Sequence, residues 1–422
     1  MFFKEFPLPN DPSFPSYNVD IRDFGARSDA PITDAVSNAV RHVSESGGGR
    51  VTVPAGKWIS GAIHLANNID LHFEKGCEVS FSTDPRDYLP AVFTVYEGIR
   101  CYNYSPLIYG RGLNNVAITG EGVLDGGGAE WWKWARNMKA RDILYSGELA
   151  LEDRIFATED FGLRPMFLQI LESKNVLIEG ITLKNSPCWT VHPVWCEDVI
   201  VRGVTVENPT VSPNTDAINI ESCNRALVED CTVTTTGDDM FCLKAGRNED
   251  AWEVGIPCEN VVIRNCRALG KSSSGGIVVG SEMSASVRNI LAHDCYFADN
   301  INCVRLKSKD GRGGVVENMD CRNLTMDKGT RGINLSFRYS CEANDAAKEP
   351  GKYMPAFKNI SFENIVCHDV DSGITLDGVA GGVMENIHFE NISMCANTCI
   401  TADSVDGLYM KNVKMVQKIK EI

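Results

Sequence analysis

The chain has 422 residues, 43% of them hydrophobic, which is enough for a large buried core. Its net charge of −15 argues against nucleic acid or an anionic membrane surface as a main partner. An anionic substrate stays open, because binding follows the local field of a cleft rather than the bulk charge.

The opening stretch, MFFKEFPLPNDPSFP, carries acid, proline and Asn but no apolar run of the kind a secretory leader needs, so the expected location is the cytoplasm. Phe2, Phe3 and Phe6 make this arm aromatic, as a dimer contact or a frayed end. The best helix follows at Thr33 to Ser44. Ala35, Val36, Ala39, Val40 and Val43 recur at helical spacing, and Gly47-Gly48-Gly49 ends it. No run is long and apolar enough for a membrane-spanning helix.

Short β-rich units then repeat to the end. NVAITGEGVLDG begins at Asn115, NVLIEGITLKNSP at Asn175, DVIVRGVTVENP at Asp198, and NVVIRNCRAL at Asn260. FKNISFENIVCHDV begins at Phe357 and MENIHFENISMCAN at Met384. Each is an alternating apolar strand, a bend at Asn, Asp or Gly, and a second short strand. Most recur at about 20–35 residues, a solenoid period. No leucine ladder supports a leucine-rich repeat, and the units are too short for propeller blades. The pattern predicts an all-β chain, a right-handed parallel β-helix with a short N-terminal capping helix. The capping helix closes the open end of the core, so residues 1–422 read as one domain, with an arm and cap over 1–50 and coils over 51–415.

The sixteen cysteines do not read as a disulfide framework. Cys231, Cys266, Cys295 and Cys321 follow Asp or Asn in strand-like segments and are expected as small core residues. Cys395 and Cys399 are the one pair at metal-like spacing, without a second pair or a nearby His. No metal and no cofactor are expected. Between Ile301 and Ser340, eight Lys/Arg face four Asp/Glu, a local basic excess.

In a β-helix, residues one coil apart stack about 4.7–4.9 Å apart. SPNTD (212–216), GDD (237–239), SSGG (273–276) and RLK (305–307) then fall on consecutive coils, with His192 one coil before Asp216. Glycoside hydrolysis needs a protonated carboxyl at the leaving oxygen and a carboxylate that activates water. Asp216, Asp238 and Asp239 can supply both, and crowding of like charges holds one protonated. Arg305 and Lys307, two apart on a strand, project to one face and suit a sugar carboxylate. Singly, each piece has a plainer reading as a turn or a solvated strand face. Their order on consecutive coils carries the weight.

The chain resembles glycoside hydrolase family 28, the polygalacturonases and their relatives. The resemblance lies in YNVDIRDFGA, GGGRVTVPAGKW, TGEGVLDGGGAEWW, NSPCWTVHPV and above all the series SPNTD, GDD, GSE and RLK. It implies an inverting hydrolase of α-galacturonosyl linkages. Asp238 would be the general acid, Asp216 and Asp239 would hold and deprotonate water, and Arg305 and Lys307 would bind the uronate. Asn214, His192, Ser274, Glu282 and Tyr339 are further candidates to meet the sugar. YNYSPLIYG and GSEMS resemble exo-acting members. Two departures stand out: Ser274 occupies the place of the family's His, and Ala217 that of the Gly after Asn-Thr-Asp.

The expected substrate is an acidic oligosaccharide or pectin fragment, and the partner neither nucleic acid nor membrane. Ser274 leaves room for another uronic or rhamnogalacturonan-type sugar. A calcium-dependent lyase and a non-catalytic carbohydrate-binding β-helix are the competing readings; calcium needs six to eight oxygen ligands, more than three Asp offer.

Overall fold

The computed structural model describes residues 1–136, 138–158, 162–340 and 347–418. The repeats form stacked coils whose strands pair in parallel into one 27-stranded sheet. Leu168, Val191, Ile218, Phe241, Ile277, Val304, Ile333 and Ile374 pair in register on successive coils. Every member of this ladder is buried. Each such side chain contributes about 1.5–3 kcal/mol by leaving water, so the ladder dictates register.

Five of the seven steps along the ladder fall within the expected period of about 20–35 residues, and two exceed it. Steps along the ladder run from 23 residues (168 to 191) to 41 (333 to 374). Long steps hold inserts on the outside of the coil: the helix Asn248–Val254 lies within the step from 241 to 277. Insertions of this kind leave the inward ladder untouched.

The bends follow the expectation for Asn. Asn318, Asn359 and Asn386 have φ of 55°, 54° and 57°, a left-handed conformation that Asn tolerates. Their side chains hydrogen-bond coil to coil, Asn386 to Asn359 at 2.6 Å and Asn359 to Asn318 at 3.1 Å. A parallel ladder runs through Asn323, Asn364, Asn391 and Asn412.

The capping helix spans Thr33–Glu45 and buries Ala35, Val36, Ala39, Val40 and Val43. The arm before it is neither frayed nor free. The Phe2 amide donates to Asp320 at 2.9 Å, the Lys4 amide to Asn289 at 2.7 Å, and Asp11 pairs with Arg202 at 2.8 Å. The described cysteines are unpaired, and all but Cys395 and Cys399 are buried. Among the described residues, no helix is long and apolar enough to cross a membrane.

Two inserts leave the early coils. One is an antiparallel hairpin, Val92–Tyr96 with Ile99–Asn103. The other includes the helix Met138–Ser146. Both reach the face that carries the carboxylates.

Candidate active site

Asp216 and Asp239 take equivalent places just before the inward strands of neighbouring coils. The Thr190 amide donates to the Asp216 carbonyl and the Ala217 amide to that of Asp239, each at 2.9 Å. Asp238 precedes Asp239 and is offset from that stack. The turns nest closely: a Cβ at Gly237 would lie 1.7 Å from the Ser212 carbonyl oxygen. Only glycine lets the Gly-Asp-Asp turn sit on the Ser-Pro-Asn-Thr-Asp turn, which explains why the two motifs share one site.

The three carboxylates line a cavity of about 270 Å³ with Asn214, Glu282, Lys307 and Tyr339. Small-molecule sites span about 300–1,000 Å³, so this one is at the small end. Lys307 Nζ donates to Asp239 at 2.8 Å. Lys244 Nζ lies 3.4 Å from Asp216 and 3.0 Å from Glu282, and 4.3 Å from the centre of the Trp189 ring. Lys244 and Lys307 stand two coils apart in one outward column, either side of Gly280.

These contacts separate the carboxylates electrostatically. Burial raises the pKa of Asp238, the Asp239 charge adds to it, and Lys307 and Lys244 oppose, leaving it at about 6. Burial also pushes Asp239 up, but Lys307, Lys244 and Arg305 outweigh burial and hold it below the usual carboxylate value. Asp216 is pushed well up by burial; Lys244 pulls against this, repulsion from Asp238 and Asp239 adds to the rise, and Lys307 opposes it. The cluster thus holds a dedicated carboxylate, Asp239, beside two carboxyls that favour a proton.

Ser274 is buried and accepts a hydrogen bond from Arg305 Nη1 at 3.0 Å. Arg305 also lies 5.5 Å from the centre of the Tyr339 ring. The cationic pair is therefore split in its hydrogen bonds, Lys307 to Asp239 and Arg305 to Ser274, while both lie by the Tyr339 ring, Lys307 at 5.3 Å from its centre. Asn214 lines the cavity, and its Oδ1 accepts from the buried Arg164 at 2.8 Å.

His192 does not meet the expectation of substrate contact. It is fully buried, with Nε2 2.6 Å from Glu221 and Nδ1 2.9 Å from Gln169 Nε2. Gln169 in turn donates to the Val95 carbonyl at 2.8 Å and accepts from Thr94. His192 is the foundation under the hairpin. A strand position puts its side chain on the site face, but the hairpin covers that position, and the sequence holds no local sign of it.

Lys244, Glu97, Arg141, Arg247 and Trp189 also line the cavity and were missed. Lys244 had a usable signal, because it lies two residues beyond Cys242 on the strand that follows Gly-Asp-Asp. The others had none. Glu97 and Arg141 belong to the inserts, and their ion pair, 2.9 Å, forms part of the cavity wall.

Asp216, Asp239 and Cys242 offer ligand atoms within 4.8 Å of one another. Both carboxylates already contact ammonium groups, and burial pushes the Cys242 thiol up, so it stays protonated. Such a set is poorly suited to a dication, which counts against the calcium-dependent lyase.

The sequence profile described as glycosyl hydrolases family 28 matches residues 49–406. The chain belongs to that family. It is a glycosidase of O-glycosyl bonds, and its parallel β-helix is right-handed like those of its neighbours. A probable polygalacturonase of Vitis vinifera is 29% identical over 90% of this chain and 74% of its own length. A hyperthermoactive exopolygalacturonase from Thermotoga maritima is 32% identical, with a TM-score of 0.89 over 97% of this chain and 94% of that one. A family 28 exopolygalacturonase of Yersinia enterocolitica shares the fold at 21% identity, with a TM-score of 0.78 over 97% of this chain and 76% of that one.

Proposed function

We propose that this protein is an exo-acting, inverting glycosidase that removes terminal galacturonate from pectin-derived oligosaccharides. The observation that carries the reading is a carboxylate trio in a small cavity that Glu97 and Arg141, brought by two inserts, help to wall. A long chain needs an open groove, and a small cavity walled by inserts suits a chain end.

In this reading Asp238 gives its proton to the glycosidic oxygen as the bond to C1 breaks. Asp239 takes a proton from the water that attacks C1 from the opposite face, and Asp216 holds that water. The products are one sugar of inverted anomeric configuration and a chain shorter by one residue. Asp238, at about 6, is a carboxyl suited to donate in mildly acidic solution. Lys307 keeps Asp239 ionised and, with Arg305, supplies positive field for the sugar carboxylate.

The test is hydrolysis of defined galacturonate oligomers, with products followed by NMR from the first turnovers. Release of monomer with inverted configuration is expected. Retained configuration would sink the three-carboxylate scheme. Ultraviolet-absorbing unsaturated product would indicate a lyase, and random internal cleavage would remove the exo mode.

A further inference from the structure

Glu97 is 4% exposed yet lines the cavity. Its Oε2 is held twice, by Arg141 Nη2 at 2.9 Å and by the Tyr145 hydroxyl. Its Oε1 is buried with no hydrogen-bond partner among the described residues. Other buried side-chain atoms also lack a partner, but among the described residues only Glu97 Oε1 and Asp239 Oδ1 belong to residues that line the cavity. Buried polar atoms are nearly always paired, so these two mark a place for a ligand.

The backbone adds a second sign. Glu97 occupies the tip of the hairpin with φ of 46°, followed by Gly98 with φ of 82°. Such turns favour Asn, Asp or Gly, and a Glu there is uncommon. Conformations of this kind persist where the surroundings over-determine them, often at functional sites. Here the turn is docked on the catalytic coils: the Arg247 amide donates to the Gly98 carbonyl at 3.0 Å. A Cβ at Gly98 would lie 3.0 Å from that amide nitrogen and 3.1 Å from Glu282 Cγ. The Arg247 guanidinium packs 3.7 Å from the centre of the Tyr145 ring, which braces the hydroxyl on Glu97.

An ionised carboxylate only accepts hydrogen bonds. The missing partner is therefore a donor, and a sugar hydroxyl fits where a uronate carboxylate would be repelled. The sugar attacked at C1 must place that carbon among the three Asp. In a 1,4-linked pyranose, C4 lies across the ring from C1 and faces the wall. Inside a chain O4 is glycosylated and has no proton; only a non-reducing end offers a 4-hydroxyl.

We propose that Glu97 Oε1 accepts a hydrogen bond from the 4-hydroxyl of the non-reducing terminal sugar, selecting saturated chain ends over 4,5-unsaturated ones. The inference rests on the exo-acting reading above and names the group that enforces it. Ends left by a lyase lack both the 4-hydroxyl and the C4 geometry, so they would be poor substrates until another activity removed the unsaturated residue.

The experiment compares kcat/KM on trigalacturonate and on 4,5-unsaturated trigalacturonate, which carry the same charge. Wild-type protein is expected to prefer the saturated trimer by about 100-fold or more, since a site built to bond a hydroxyl rejects the analogue lacking it. Glu97→Ala is expected to lose about 10–100-fold on the saturated trimer, the range for a hydrogen bond to a charged group, and to change little on the unsaturated one. Glu97→Gln keeps the volume and decides the matter if the Ala variant melts early. Selective loss on the saturated trimer supports the proposal. Equal loss on both substrates in a variant that melts like wild type, or a wild-type preference near one, overturns it. Wild-type protein inert on both trimers would instead overturn the glycosidase reading, and release of internal fragments its exo mode.

Discussion

Asp216 and Asp239 reach the cavity from equivalent points on neighbouring coils, whereas Glu97 and Arg141 reach it from inserts that leave the helix much earlier in the chain. The floor inherits its geometry from the strand ladder. Its spacing is the strand spacing, and the buried Leu168-to-Ile374 ladder holds it in register. The wall has no such template. It is held by side chains: Arg141 and Tyr145 on Glu97, Arg247 on Tyr145, and the buried Glu221–His192–Gln169 chain beneath the hairpin. Chemistry on a rigid repeat and selectivity on an added insert can then vary separately.

The largest effect that would sharpen this contrast is on the floor. Asp238→Asn removes the proposed general acid and should lower kcat by about 10²–10⁴-fold, read from initial rates on trigalacturonate. The same change should raise the melting temperature at pH 7. The folded pKa of Asp238 lies above its unfolded value, so its stabilising contribution is complete below about pH 4 and lost as pH rises through about 6. Asn never ionises and avoids that loss. Unchanged turnover would break the assignment of the floor.

Next is Lys244→Met. Lys244 is buried between Asp216 and Glu282, and removing it takes away the cation that contacts both carboxyl groups. A loss of about 3–5 kcal/mol in unfolding free energy is expected, measured by denaturant titration. A neutral result would mean that the floor does not depend on charge balance.

The pH profile separates the acid from the base. Activity should fall as pH rises through about 6, as Asp238 loses its proton. It should fall at low pH only below the usual carboxylate range, because Lys307 holds Asp239 down. Lys307→Met removes that cation, so the Asp239 pKa rises and the acidic limb moves to higher pH. A limb that stays in place would show that some other group is the base.

The smallest expected effect is on Ser274. Ser274→Ala removes one hydrogen bond to Arg305 and should raise KM by about 5–10-fold with kcat little changed. If kcat fell instead, Ser274 would be acting on the reaction rather than on the hold of Arg305.

The split between floor and wall is also the split in what could be read before folding. Strand alternation, Asn at the bends and the order of the Ser-Pro-Asn-Thr-Asp, Gly-Asp-Asp and Arg-Leu-Lys segments identify the β-helix and bring Asp216, Asp238, Asp239 and Lys307 together, because one coil converts sequence period into spatial adjacency. The helix Thr33–Glu45 was legible within a residue at its end. His192 misled because period alone places it on the site face, while the hairpin that buries it lies far away in the sequence.

By itself, then, the sequence determined the coil, its register and the carboxylate column, since all three follow from short-range pattern repeated along the chain. Only the tertiary structure decided that the cavity has a wall, that Glu97 lines it with one carboxylate oxygen buried and unpaired, and that Lys307 bonds Asp239. Those facts depend on where inserts and long side chains come to rest. That is set by packing between distant segments, which leaves no period in the sequence to read.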